Sequence, residues 1–131
     1  MNHEEPFVTA FIVKDKKQRY LELFKTTKGR IKVNKCLAHN PDIDNRYMFK
    51  VPNSEQTPDK IFKLLKSKNA PEYCHVISED TTIDNMDLLL KDALFLILGK
   101  GSGTIISCIP GKLAYYEGED PQERYILSNL K

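Results

Sequence analysis

An α+β fold is predicted by three features of the 131-residue sequence: helical spacings collect in its first half, short β-branched segments parted by turns collect in its last third, and one almost wholly apolar helix precedes them. The expected architecture is a single domain over residues 1–131. N-terminal helices lead into a mainly antiparallel sheet of about four strands, with the buried helix packed on that sheet.

The stretch 86–111, MDLLLKDALFLILGKGSGTIISCIPG, organises the rest. Between Leu88 and Leu98 only Lys91 and Asp92 are polar, so a helix from Asp87 to Leu98 needs cover on more than one side. Asp84 or Asn85 is the expected cap at its start, and Gly99 the C′ residue at its end. Thr104 to Ile109 is β-branched and closed by Pro110-Gly111, the pattern of a core strand entering a turn.

Ahead of this stretch, Phe7, Val8, Phe11 and Ile12 fit one stripe of a helix with Pro6 at N1, although the β-branched content of Phe7 to Val13 also allows a strand. A second helix is expected from Asp15 to Lys25, and a third, capped by Thr26 or Thr27, to about His39. Residues 39–58 contain three prolines and read as a surface connection with a short extended piece at Tyr47 to Val51. Thr57-Pro58-Asp59 opens a fourth helix through a capping hydroxyl, a proline at N1 and an early carboxylate. Tyr73 to Ser78 is a strand of the same sheet. Leu113 to Glu117 and Arg124 to Ser128, joined through Gly118-Glu119-Asp120-Pro121, complete a meander with the core strand.

Composition limits the function classes. No apolar run reaches the roughly 18 residues of a membrane span, and the N-terminus carries acidic residues where a secretion signal would be basic, so a cytoplasmic chain without a membrane partner is expected. Cys36, Cys74 and Cys108 are isolated and lack ligand spacing, so reduced thiols are expected. The acidic loops around Glu79, Asp80 and Asp84, and around Glu117, Glu119, Asp120 and Glu123, lack a calcium-loop pattern. Neither a metal nor another cofactor is assigned. The glycines of Gly99-Lys100-Gly101-Ser102-Gly103 leave a helix C-terminus, where the dipole is negative, which argues for a cap and against a phosphate loop.

Charge is the most informative feature. The net +2 conceals +7 over residues 1–70 (15 Lys/Arg against 8 Asp/Glu) and −5 over residues 71–131 (5 against 10). Lys16, Lys17, Arg19, Lys28, Arg30, Lys32 and Lys35 form the candidate binding surface, and a non-catalytic binding or regulatory module contacting nucleic acid or an acidic protein is the leading expectation. The acidic half could instead meet the basic half of another copy, giving a homo-oligomer. The alternative is a small hydrolase-like enzyme using Cys108 or Ser107 as nucleophile and His75 as base, aided by Glu79 or Glu117. Tyr115 and Tyr116 point to opposite faces of one strand, so at least one is expected to be partly exposed; with Tyr125 they could line a ligand surface, but core and rim packing is the favoured use.

Overall fold

A computed structural model describes residues 2–37, 39 and 42–130. Among these residues the chain is α+β, with five α-helices and one antiparallel sheet of six strands rather than about four. The helices are α1 (Glu4–Phe11), α2 (Lys17–Leu23), α3 (Thr27–Leu37), α4 (Pro58–Ser67) and α5 (Leu90–Ile97). The strands are β1 (Met48–Lys50), β2 (Tyr73–Ser78), β3 (Asp87–Leu89), β4 (Thr104–Ile109), β5 (Leu113–Glu117) and β6 (Arg124–Ser128), in the spatial order β1-β6-β5-β4-β2-β3.

Helices cover both faces of the sheet. On one, α4 and α5 bury Ile61, Leu65, Leu90, Leu94 and Ile97 against Val76, Ile106, Leu113 and Tyr115. On the other, α1 to α3 bury Phe7, Phe11, Tyr20 and Val33 against Ile77, Ile105, Ala114, Tyr116 and Leu127. Strand residues alternate between these layers, so the central strands read as unbroken buried runs. Tyr115 and Tyr116 are therefore both fully buried, contrary to the expectation of an exposed ring. The Tyr115 hydroxyl donates to Glu117, and that of Tyr116 to the Leu37 carbonyl, tying the sheet to the end of α3.

The N-terminal segment is helical. It starts at Glu4, so Pro6 is its third residue rather than its first, and Ile12 leaves it to bridge Ile43. The third helix ends at Leu37; residue 38, on the path to the expected end at His39, lies outside the described residues, as do 40 and 41 within the 39–58 connection. Thr26 caps α3 by accepting from the Gly29 amide at 2.9 Å, and Thr57 caps α4 by accepting from Lys60 at 3.3 Å. Gly99, at φ 79°, follows α5 as its C′ residue.

The buried helix is shorter at its start than expected. Asp87 to Leu89 instead pair with His75 to Tyr73 as an edge strand, after a reversal in which Asn85 adopts φ 64°. Neither Asp84 nor Asn85 caps α5; Leu89 does, with extended backbone and no capping side chain.

Candidate functional site

The apolar face of α1 fixes its first turn over two neighbouring strands. His75 of β2 and Ser107 of β4 are register partners, so their side chains share the face covered by α1. His3 Nδ1 lies 2.8 Å from Ser107 Oγ, and the His3 ring stacks on His75 with centroids 5.5 Å apart. His75 Nδ1 is 2.7 Å from Asp87 and its Nε2 is 2.9 Å from Glu4. Glu4 also accepts from Arg30 Nη1 at 2.6 Å, while Arg30 grips Asp84 through Nε and Nη2 at 3.2 and 3.0 Å. Asp84 in turn accepts from the Ser78 amide. Carboxylates and cations thus alternate from Asp87 through His75, Glu4 and Arg30 to Asp84.

Burial alone would lower the His75 pKa, but the hydrogen bonds to Glu4 and Asp87 and the charges of both outweigh it, and the pKa is raised. For Glu4 burial works upward and is overcome by His75 and Arg30; Asp87 is lowered chiefly by its hydrogen bond to His75. His3 moves the other way, lowered first by burial and then by the charge of His75. Two stacked imidazoles do not share two protons comfortably, and the one facing two carboxylates keeps its proton.

These shifts set a pH dependence. A raised histidine pKa adds stability below the unfolded value of 6.5, and that stability is lost as pH rises through the folded value. The lowered carboxylates add stability above 4.5 for Glu4 and 3.8 for Asp87, lost as pH falls through their folded values. The lowered His3 subtracts below 6.5, because there the unfolded chain takes up its proton first. The stability gap between the native chain and His75→Gln, measured by urea unfolding, should therefore be widest at about pH 5–6.5 and narrow by about pH 9. An equal gap at both ends would show that His75 carries no proton.

This geometry corrects the expected nucleophile and base. With both ring nitrogens donating to carboxylates, His75 has no lone pair to offer as a base. Cys108 lies on the opposite face, packed with Cys74 and Val76, so it is not brought to His75. Burial pushes the Cys74 thiol up to about 12 and raises that of Cys108 as well, which leaves both as inert packing groups. Ser107 is on the right face, but its partner is His3, and at 1% exposure it sits beneath that ring. The sequence offers no local signal for a pair 104 residues apart.

The other carboxylates serve the glycine loop. Glu117, on the α4–α5 face, accepts from the Gly99 amide at 3.0 Å and from Tyr115, while Glu79 accepts from the Gly103 amide at 3.2 Å. Burial raises the Glu117 pKa. Donors that a phosphate would need are directed at the protein's own acids. The chain matches no family model, no curated protein and no solved structure.

Beside His3 a cleft of about 480 Å³ opens at the end of the sheet. The β2–β4 pairing stops at His75 and Ser107; beyond it β2 continues with β3 while β4 continues with β5 through a bulge between Ser107 and Ile109. The parted strands leave Pro71, Tyr73 and Cys74 on one wall and Cys108, Ile109 and Pro110 on the other, with His3 and Asp87 as the polar lining.

The basic residues divide into two groups. Arg30 is withdrawn into the ion-pair chain, which corrects its placement on the binding surface, and Lys17 donates to the Thr9 carbonyl at 2.6 Å. Lys16, Arg19, Lys28, Lys32 and Lys35 are exposed, and none of them forms an ion pair among the described residues. Lys28, Lys32 and Lys35 follow i, i+4, i+7 spacing along the outer line of α3. Among the described residues no helix is long and apolar enough to cross a membrane.

Proposed function

We propose that the protein is a non-catalytic binding module that engages an acidic macromolecule, nucleic acid or protein, through the α3 lysine line, with the exposed Lys16 and Arg19 contributing further positive charge. The observation that carries this reading is the line itself: three lysines on one side of an eleven-residue helix that contains no carboxylate. Like charges so placed repel one another by a few tenths of a kcal/mol per pair. A polyanion laid along the helix relieves that repulsion and releases counterions. An acidic protein surface satisfies the same chemistry, and the Glu119-Asp120 turn of a second copy is one such surface.

The test is a fluorescence-anisotropy titration with labelled single- and double-stranded DNA and RNA, and with a labelled acidic peptide, at low and near-physiological salt. Binding to duplex DNA should weaken with salt at a log–log slope of about −3 if the three α3 lysines alone meet phosphates and about −4.5 if Lys16 and Arg19 join them, and Lys28→Glu/Lys32→Glu/Lys35→Glu should lose about tenfold or more in affinity while remaining folded by circular dichroism. Which probe binds selects the partner class. Absence of binding to every probe at low salt, or a triple variant that binds as well as the native chain, refutes the proposal.

A further inference from the structure

We infer that the cleft between the parted ends of β2 and β4 is a binding site for a small organic amine with an apolar body, such as an arylalkyl amine. The site is distinct from the α3 lysine line and stands or falls independently of it. Its origin lies in the sheet. Where β2 and β4 stop pairing, two strand ends diverge and expose an interior lined by Pro71, Cys74, Ile109 and Pro110 rather than by backbone ladders. A volume of about 480 Å³ falls within the range of small-molecule sites, which are mostly apolar with few convergent polar groups.

The polar lining selects the charge. Asp87 has a side chain 67% exposed; its Oδ1 is held by His75, while Oδ2 has no protein partner among the described residues. His3 spends Nδ1 on Ser107 and has no partner for Nε2 among the described residues. Behind them, Arg30 and His75 are both consumed by Glu4, Asp84 and Asp87, so the five ionised groups sum to one negative charge. Among the described residues that line the cleft there is no lysine or arginine to receive an anionic ligand. An ammonium placed at the mouth gains a charge-assisted hydrogen bond to Asp87 Oδ2 and accepts company from the Tyr73 ring, 61% exposed on the same lining. Its hydrocarbon part then leaves water for the proline- and isoleucine-lined wall.

The experiment is a ¹⁵N–¹H NMR titration of the full chain with three probes of one shape: 2-phenylethylamine, 2-phenylethanol and phenylacetate. The amine should saturate, with amide shifts centred on Tyr73, Cys74 and Ile109, and bind about tenfold or more tighter than phenylacetate. Asp87→Asn, which retains an oxygen for His75, should cut amine affinity about tenfold and leave 2-phenylethanol within about twofold. Ile109→Trp, which fills the cleft from a strand end, should weaken the amine and the alcohol alike. The inference is overturned by equal binding of amine and acid, by shifts centred away from the cleft, by an unchanged amine affinity in Asp87→Asn, or by no saturation at about 10 mM amine.

Discussion

Replacing Arg30 by alanine is expected to lower the free energy of unfolding at pH 7 by about 2–4 kcal/mol, as read from urea denaturation. The guanidinium joins three separate elements: its own helix α3, Glu4 of α1, and Asp84 of the connection between β2 and β3. Its side chain and those of Glu4 and Asp84 are only 14%, 18% and 15% exposed, so removing the cation leaves Glu4 with His75 alone and Asp84 with the Ser78 amide but no counter-charge, both poorly hydrated. Residual exposure places the cost toward the lower end of what an uncompensated buried charge entails. Arg30→Lys keeps a charge but cannot grip Asp84 through two nitrogens, and should fall between alanine and the native chain. A loss below about 1 kcal/mol for Arg30→Ala would mean that water takes over the arginine's hydrogen bonds. The same substitution should leave polyanion affinity nearly unchanged in the folded fraction, in contrast to the lysine variant.

That contrast shows what a run of charge conceals. Arg30 stands two residues from Lys28, about 200° around the helix, and belongs with Val33, Asn34 and Leu37 on the inner line. Helical spacing was therefore enough to turn Arg30 inward, yet its place in a basic segment suggested solvent. What spacing could not provide was its partners: Glu4 lies 26 residues away and Asp84 lies 54. The His3–Ser107 pair is less legible still, because it depends on where α1 is laid across the sheet. The cleft depends on two strands ceasing to pair, which leaves no mark in either strand's composition.

The better-read parts have local causes. Thr57-Pro58 starts α4 through its own hydroxyl, Gly99 ends α5 through its own φ, and the β4–β5–β6 meander is punctuated by Pro110-Gly111 and by the Gly118–Pro121 turn. β3 was hidden because Asp87-Leu88-Leu89 continues without a break into the apolar run of α5. Only the reversal at Asn85 and the pairing with β2 make it a strand. The tyrosine pair misled for a related reason: alternation tells which side chains oppose each other, while cover on the second face comes from helices elsewhere in the chain.

Gly29→Ala tests the close approach of α3 to the end of α2, and runs against helix propensity. Alanine in a helix is favoured over glycine by about 1 kcal/mol, so an isolated α3 would gain from the change. In the folded chain a Cβ at Gly29 would stand 2.0 Å from the Leu23 carbonyl oxygen, and 2.7 and 2.8 Å from the Leu23 C and Cα atoms. All three are backbone atoms, so no rotamer change relieves the overlap; α2 and α3 must separate. Separation loosens Tyr20 and Val33 and drags the neighbouring Arg30 off Glu4 and Asp84. A net destabilisation of about 3 kcal/mol is expected, together with a weaker pH dependence, because Glu4 then holds His75 less firmly. Thr26→Ala, which removes only the hydroxyl that caps the Gly29 amide, should cost about 1 kcal/mol. An unchanged or raised melting temperature for Gly29→Ala would show that α2 and α3 can part without loss. In that case the Leu23–Gly29 contact does not fix where the first helices lie on the sheet.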